Sequence, residues 1–317
     1  MKYIEAFREG DRISDIYLCK HKQALLTKNG KPYETLILQD KTGTIDAKIW
    51  EPNSQGIDDY EMLDYVEVVG DIVNFQGALQ FNVKRIRVCQ PDEYNEKDYL
   101  PVSNKDIDEM FHEMMQYLGS VQNEYLKQLI DIFFVKSEKI QTAFKNHSAA
   151  KSVHHGFVGG LLEHTLGVIR LCDFYTQNYP LLNRDLLLTA AALHDIGKLK
   201  ELSAFPSNDY TEEGQLLGHI VIGSEWVSDG IRQIPNFPVK LARELKHCIL
   251  SHHGELEYGS PKKPALAEAV ALTYADNTDA KMQTLTEIFA APSIADGDWM
   301  GYNRLFETNL RKTSIWN

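Results

Sequence analysis

The sequence predicts an α+β protein in two parts, a small N-terminal β-barrel followed by an all-helical bundle. Residues 12–89 contain short segments of alternating apolar and polar residues separated by turn signals, which is the pattern of strands. From residue 103 onward, apolar residues recur every three or four positions, as they do in helices. An acidic stretch bracketed by Pro91 and Pro101 separates the two patterns. We therefore expect a barrel domain at residues 1–92, a linker at 93–103 and a helical domain at 104–317.

The first part reads as five or so short strands. Asn29-Gly30 and Gln76-Gly77 each separate two such segments, and Asn and Gly tolerate the positive φ of hairpin turns. The expected strands are residues 24–28, 33–39, 44–50, 66–75 and 79–88. In the third of these, Ile45, Ala47 and Ile49 alternate with polar residues, so they should face the core. Five strands in fewer than 90 residues, without a helical period, predict a closed or nearly closed barrel.

The outer face of this barrel combines aromatic rings with positive charge. The residues that we expect to bind nucleic acid are Lys48, Trp50, Phe75, Phe81 and Lys84. Bases stack on aromatic rings, and phosphates are attracted to lysines. The alternative is that the phenylalanines belong to the core and the lysines only keep the surface soluble. The stretch from Leu38 to Trp50, which includes Lys41-Thr42-Gly43, resembles the nucleic-acid-binding OB-fold.

The helical part begins with an amphipathic segment whose apolar stripe indicates core packing. The members of that stripe are Ile107, Met110, Phe111, Met114 and Leu118. Further helices are expected at 124–134, 137–144 and 161–175, and four later segments carry similar stripes. Nine of the eleven histidines fall between His147 and His253, within this helical part.

In five of the helices, a histidine or an aspartate continues the buried stripe where an aliphatic residue would be expected. These residues are His164, His194, Asp195, His219, His252, His253 and Asp276. Such groups are costly inside a core unless they are paired or bound to a cation. Neutral imidazole and carboxylate are ligands of divalent metals, so the pattern predicts a metal centre.

The number of ligands suits two ions better than one. We expect His164, His194, Asp195 and Asp276 on one ion, and the remaining three histidines on the other. Asp195 has two oxygens and could bridge the pair, at the separation of ~3.5–4 Å that is useful for phosphoryl chemistry. A shell of histidines and carboxylates accepts Mn²⁺, Fe²⁺, Co²⁺, Ni²⁺ or Zn²⁺.

The ordered ligand set resembles the HD-domain metal-dependent phosphohydrolases. His-Asp-Ile-Gly-Lys at 194–198 is the motif of their two-metal branch. With the OB-like barrel and Gly-Gly-Leu-Leu-Glu-His-Thr at 159–165, the chain resembles the YhaM-type 3′–5′ exoribonucleases. That resemblance implies an OB-fold followed by an HD-domain bundle, and Mn²⁺ as the activating ion. It also implies Asp195 and Lys198 as catalytic residues, and hydrolysis of single-stranded RNA from its 3′ end to nucleoside 5′-monophosphates.

Several alternatives stay open at this point. The helical domain could hydrolyse a small nucleotide, although such a substrate needs no strand-binding barrel. The chain could instead bind nucleic acid and use its HD centre for regulation, although a regulatory centre would gain nothing from Lys198. Single-stranded DNA is an alternative to RNA, because a protein distinguishes the two by its contacts with the 2′-hydroxyl, which the sequence does not reveal. The second histidine of the His252-His253 pair could contact substrate, and His154 and His155 have no assigned role.

Composition limits the class of protein and its location. The net charge of −12 argues against a broadly basic protein that coats nucleic acid, but an enzyme can obtain positive charge from bound cations. Four cysteines without CxxC spacing predict neither disulfides nor a cysteine zinc site. With no segment resembling a signal peptide or a membrane span, we expect a cytoplasmic protein without a membrane partner. The aromatic stretch 299–316 could close the substrate path, mediate homo-oligomers or pack on the surface.

Overall fold

The computed structural model describes residues 1–151, 155–290 and 298–314, and the chain divides into two units. The first unit comprises Met1–Asn104 with Ser203–Asp209, and the second comprises Lys105–Leu202 with Tyr210–Asn317. The segment expected to be a linker, residues 93–103, lies within the first unit. There Tyr94 stacks on Tyr65 with ring centroids 3.8 Å apart, and Tyr99 meets the same ring edge-on at 5.1 Å.

The first unit is a closed five-stranded barrel across residues 1–104, all of which the structure describes. Its strands are β1 (Arg12–Leu26), β2 (Pro32–Asp40), β3 (Gly43–Ile49), β4 (Tyr65–Phe75) and β5 (Ala78–Val88). The strand order is β1-β2-β3-β5-β4, and β1 pairs with β4 to close the sheet. The pairing of β3 with β5 is parallel, whereas the other pairings are antiparallel. The predicted OB-fold barrel is therefore confirmed.

The barrel is filled by one side of each strand. Ile45, Ala47 and Ile49 of β3 are buried, as their alternation predicted. Phe81 lies at the centre, where Phe7 and Tyr17 meet its ring edge-on at 6.2 and 6.4 Å between centroids. Burying a side chain of this size contributes ~1.5–3 kcal/mol, so this cluster is a main source of the barrel's stability.

The second unit is a helical bundle, as predicted. Its helices are α1 (Ile107–Gly119), α2 (Glu124–Phe134), α3 (Glu138–Asn146), α4 (Gly160–Asn178), α5 (Arg184–Leu193), α6 (Lys198–Glu201), α7 (Glu212–Arg232), α8 (Val239–Ser251) and α9 (Ala267–Ala290). A hairpin that the sequence pattern did not predict follows, formed by β6 (Trp299–Asn303) and β7 (Thr308–Arg311). Within the described ranges, no helix combines the length and the apolar character needed to cross a bilayer.

Helix α5 is the central element of the bundle. It begins at Asn183, whose side-chain oxygen accepts a hydrogen bond from the backbone N–H of Leu186 at 3.1 Å and so caps the helix. Every residue from Leu186 to Leu193 is buried, because the surrounding helices cover the whole circumference of α5. Its C-terminal end therefore carries the next two residues, His194 and Asp195, into the interior.

Candidate metal centre

The seven residues predicted as metal ligands come together around Asp195, which is 2% exposed. Its Oδ2 lies 3.5 Å from His164 Nε2 and 3.4 Å from His194 Nε2. Its Oδ1 lies 3.4 Å from His219 Nε2 and 3.6 Å from His252 Nε2. The two oxygens of one carboxylate thus face two different pairs of histidines.

Each pair of histidines has one further potential ligand beside it. Asp276 Oδ1 lies 3.2 Å from His164 Nε2 and 4.0 Å from His194 Nε2. The ring of His253 lies 4.4 Å from that of His252 and 5.2 Å from that of His219, measured between centroids. We refer below to His164, His194 and Asp276 as group A, and to His219, His252 and His253 as group B.

All five histidines of the two groups turn the same ring nitrogen toward the centre. Each Nδ1 atom contacts an oxygen that can only accept a hydrogen bond, so Nδ1 carries the proton. The Nδ1 partners are Asp279 for His164, the carbonyl of Ala191 for His194, Glu201 for His219, the carbonyl of Ile249 for His252 and the carbonyl of Tyr258 for His253, all at 2.7–2.9 Å. The neutral imidazole then has its lone pair on Nε2, which is the form that binds a cation.

Two glycines allow the chain to place His219. Gly218 has φ 73° and ψ 155°, a conformation essentially limited to glycine, and it interrupts α7 directly before His219. Gly197, within His-Asp-Ile-Gly-Lys, lies so close to α7 that a Cβ there would be 2.1 Å from the carbonyl oxygen of His219. The glycine of the motif therefore permits the close approach of the two segments that bring Asp195 and His219 together.

Several polar atoms of the centre are buried without a hydrogen-bond partner among the described residues. They are Asp195 Oδ1 and the Nε2 atoms of His219 and His252. The Lys198 ammonium is 2.6 Å from Asp195 Oδ2, which balances one charge of the centre. A buried polar atom without a partner costs ~1–3 kcal/mol, and a cation would satisfy all of these atoms at once. The donor set therefore fits the binding of divalent metal.

The pKa shifts of Asp195, His252 and His253 favour their ligand forms at neutral pH, whereas the shift of His164 does not. Burial opposes the charge of Asp195, but Lys198 and His194 outweigh it and hold the carboxyl pKa well below its ordinary value. Burial lowers the pKa values of His252 and His253. For His164, burial is outweighed by hydrogen bonds to Asp276 and Asp279, which raise its pKa to about 10 without a cation. Metal binding at His164 must therefore displace a proton.

A cavity of about 470 Å³ lies beside the centre in the second unit. The proposed ligands on its wall are His164, His252, His253 and Asp276. Its other polar lining residues include Lys198, Tyr258, Asn277 and Lys281. Lys281 makes no ion pair with any residue in the described ranges. The cavity thus brings two lysines and an aromatic ring to one side of the ligand groups.

Sequence reasoning missed two carboxylates that support the histidines, Asp279 and Glu201. Asp279 follows Asp276 by one turn of α9, and Glu201 follows Lys198 by one turn of α6, so helical spacing was the available signal. His155, which had no assigned role, is buried and lies 3.0 Å from Asp279 Oδ2 through its Nε2. His154 lies outside the described residues.

Four of the five residues expected to bind nucleic acid lie on the outer face of the barrel. Trp50 stacks on Tyr33 at 5.3 Å, and its Nε1 donates to Asn82 at 3.1 Å. Lys48 contacts the Thr35 hydroxyl, and Lys84 pairs with Asp71. Phe75, at the end of β4, is 57% exposed.

The fifth residue, Phe81, was assigned wrongly to this face, because it is fully buried in the barrel core. A β-bulge explains the error. Val69 pairs with Arg85 and Gly70 pairs with Val83, so Lys84 is an extra residue in β5. The bulge reverses the alternation, and Phe81 therefore points inward although Arg85 and Arg87 point outward. The alternative, in which both phenylalanines belong to the core, was correct for Phe81 but wrong for Phe75.

The chain is similar to several known proteins. The HD domain family matches residues 161–281. The chain is 36% identical over 285 residues to the 3′-5′ exoribonuclease YhaM of Geobacillus sp. (strain WCH70), covering 90% of this chain and 87% of that protein. It is 39% identical over 279 residues to the 3′-5′ exoribonuclease YhaM of Bacillus subtilis (strain 168), covering 87% of each. Among solved structures, the second OB-fold domain of replication protein A from Methanococcus maripaludis matches 27% of this chain and 92% of its own length, with 20% identity and a TM-score of 0.23.

Proposed function

The chain belongs to the YhaM family of 3′–5′ exoribonucleases, and on that premise we propose that it shortens single-stranded RNA from the 3′ end by metal-dependent hydrolysis. The products are nucleoside 5′-monophosphates. The observation that carries this proposal is the position of Asp195, whose two oxygens face two groups of potential ligands. Such an arrangement suits two adjacent cations, which is a common design for cleaving phosphodiesters.

Groups A and B are the proposed ligands of the two cations, with Asp195 between them. When bound, the cations lower the pKa of water and offset the negative charge of the phosphate. We propose Mn²⁺ as the ion, although the same nitrogen and oxygen donors accept Fe²⁺, Co²⁺, Ni²⁺ or Zn²⁺. In this scheme His253 is a ligand, as the orientation of its Nδ1 toward the Tyr258 carbonyl supports.

Lys198 is the proposed catalytic residue outside the ligand set. Burial opposes its charge, but Asp195 outweighs that effect and raises the pKa of the ammonium above its ordinary value. Lys198 therefore stays positive on the cavity wall, where it can donate to a phosphate oxygen as charge builds there. Asp195 orients the Lys198 ammonium, and it is also the proposed ligand that groups A and B share.

The cavity beside the centre is the proposed site of the 3′-terminal nucleotide. Its volume of about 470 Å³ lies in the range of ~300–1,000 Å³ that is usual for small-ligand pockets. Tyr258 is 66% exposed and can stack on a base. Lys281, which has no ion-pair partner among the described residues, can contact a phosphate. Lys48, Trp50, Phe75 and Lys84 on the barrel would hold the rest of the strand.

The cysteines support a reducing site of action. All four are free and buried, and burial raises the pKa values of their thiols. Unpaired cysteines are usual in reducing compartments, so we propose that the enzyme acts in the cytoplasm.

Substitution of Asp195 tests this function. The Asp195→Ala variant should still bind a single-stranded oligoribonucleotide but should no longer shorten it in the presence of Mn²⁺. Asp229→Ala is a suitable control, because Asp229 is an exposed carboxylate on α7 that pairs only locally with Arg232. Degradation by Asp195→Ala at the wild-type rate would refute the assignment of the centre.

A second function is favoured by the size of the cavity, which suits a single nucleotide. In that case the helical unit would hydrolyse a small nucleotide, and the barrel would not contribute to turnover. Comparing rates on a 20-residue oligoribonucleotide and on mononucleotide substrates separates the two possibilities. Turnover of mononucleotides at an equal or higher rate would refute the proposed exonuclease activity. Parallel assays on single-stranded DNA would establish the preferred sugar.

A further inference from the structure

We propose that Asp279 and Glu201 are positioning residues, each of which sets the cation affinity of one ligand group. Asp279 acts on group A through His164, and Glu201 acts on group B through His219. The inference rests on the proposed metal centre, but it assigns a role to two residues outside the ligand set.

Asp279 is held in place from three sides. Its Oδ2 lies 2.7 Å from His164 Nδ1 and 3.0 Å from His155 Nε2. On the facing helix, a Cβ at position 167 would be 1.9 Å from Asp279 Oδ1, so this carboxylate fits only because Gly167 has no side chain. The carboxylate is therefore fixed against α4, and it fixes the ring of His164 in turn.

Glu201 holds both the side chain and the backbone of His219. Its Oε1 lies 2.9 Å from His219 Nδ1 and 2.9 Å from the backbone nitrogen of the same residue. That backbone N–H is released by the break in α7 at Gly218, so Glu201 also caps the second half of the helix. One carboxylate oxygen thus determines where the helix restarts and how its first imidazole points.

The other three histidines of the centre are oriented by backbone carbonyls instead. A carbonyl fixes the ring, but a carboxylate also makes the imidazole more basic and hence a stronger ligand. Each group contains one histidine with a carboxylate partner, and no side-chain substitution removes the carbonyl partners. Asp279 and Glu201 are therefore the points at which each group can be weakened separately.

Calorimetric titration with MnCl₂, without RNA, tests the proposal directly. Asn and Gln keep the shape of the two side chains but remove their charge. In Asp279→Asn and in Glu201→Gln we expect one of the two cations to bind ~10–100-fold more weakly while the other is unaffected. The double variant should bind both cations more weakly.

Ligand substitutions identify the residue through which each carboxylate acts. If Asp279 acts through His164, then Asp279→Asn should have no further effect in a His164→Ala background. Glu201→Gln should likewise have no further effect in a His219→Ala background. Asp279→Asn should keep its full effect when His219 is replaced, because His219 belongs to the other group.

A second variant and a control protect the test against simple misfolding. Gly167→Ala displaces the Asp279 carboxylate without removing its charge, so it should weaken the same cation. Asp173→Asn is the control, because Asp173 lies on α4 like Gly167 but pairs with Arg184. It should leave the affinities for both cations unchanged. Thermal unfolding of each cation-free variant shows whether the protein is folded.

Wild-type affinities in Asp279→Asn and Glu201→Gln would overturn the proposal. So would an effect of Asp279→Asn that persists in the His164→Ala background. If the wild-type protein itself binds no divalent cation, both the proposed metal centre and the proposed function are refuted. If the wild type binds two cations and the variants bind them equally well, only the positioning roles of Asp279 and Glu201 are refuted.

Discussion

Asp195 combines two properties that seldom occur together in a single residue. It is almost completely buried, and both of its oxygens face imidazole nitrogens rather than hydrogen-bond donors that belong to the backbone. A carboxylate in such a place is destabilising unless positive charge surrounds it. Lys198 supplies one such charge, and cations would supply the rest.

Replacing Lys198 separates chemistry from metal binding. Lys198→Ala should lower kcat by ~10²–10³ because a donor to the developing phosphate charge is lost. Two cations should still bind, since Lys198 is not a ligand. The measurement is steady-state hydrolysis of an oligoribonucleotide together with MnCl₂ titration.

Lys200→Ala is the matched control, because Lys200 lies on the same short helix but rests over the ring of Trp226 at 5.0 Å. It should keep wild-type kcat. Equal losses in both variants would argue that α6 is needed for structure alone.

Individual residues also show which parts of the site and the core could be predicted from the sequence. The proposed ligands could be picked out because polar groups occupied positions on apolar helical stripes, a pattern that depends only on helical period. Phe81 was misplaced because a bulge reversed the alternation, and no local signal in β5 marks that bulge. Asp279 and Glu201 were missed because their partners, His164 and His219, belong to distant segments of the chain.

At the scale of elements, α7 is interrupted where the centre needs it. A regular helix from Glu212 to Arg232 would direct His219 differently, and the conformation of Gly218 provides the break. The sequence correctly indicated a helical segment that carries His219. It did not indicate that the helix also extends before Gly218, since the break depends on a backbone conformation that glycine permits but does not require.

Gly218→Ala should therefore damage both stability and group B. Forcing alanine into this conformation costs ~1–3 kcal/mol in the free energy of unfolding. Urea denaturation measures that loss, and MnCl₂ titration should show weaker binding of one cation. Gly119→Ala is the control, because its Cβ would meet open space and should leave both quantities nearly unchanged. A fully stable Gly218→Ala protein with two intact sites would contradict this account of α7.

The outer face of the barrel gives a second prediction at this scale. Trp50→Ala removes an exposed ring, and base stacking is worth ~1–3 kcal/mol, so the affinity for a long oligoribonucleotide should fall accordingly. The kcat at saturating RNA should be unaffected, because Trp50 is not one of the proposed ligands. Fluorescence anisotropy with labelled RNA measures the first quantity.

Tyr179→Ala, which removes an exposed ring at the end of α4, is the control and should bind RNA normally. If Trp50→Ala binds as tightly as the wild type, this face of the barrel does not hold the strand.

For the whole molecule, the centre links folding to cation binding. The residues of the two groups lie on α4, α7 and α9 and directly after α5 and α8, so cations bound there would hold the helices of the second unit together. A ligand that binds only the folded state stabilises it by ~2.7 kcal/mol when present at 100 times its Kd.

Adding Mn²⁺ should therefore raise the unfolding temperature of the wild-type protein, and EDTA should reverse the increase. The Asp195→Ala variant should lose most of this response, because it lacks the carboxylate that both groups share. Differential scanning calorimetry measures the shift. An equal shift in the variant would mean that Mn²⁺ stabilises the protein at some other place.

The most direct test of the central claim is a crystal structure of the enzyme with Mn²⁺, measured at the manganese absorption edge. Two anomalous peaks should flank the Asp195 carboxylate, one beside His164, His194 and Asp276, and the other beside His219, His252 and His253. Absence of anomalous density around Asp195 in crystals grown with saturating Mn²⁺ would contradict the claim that this carboxylate joins two cations.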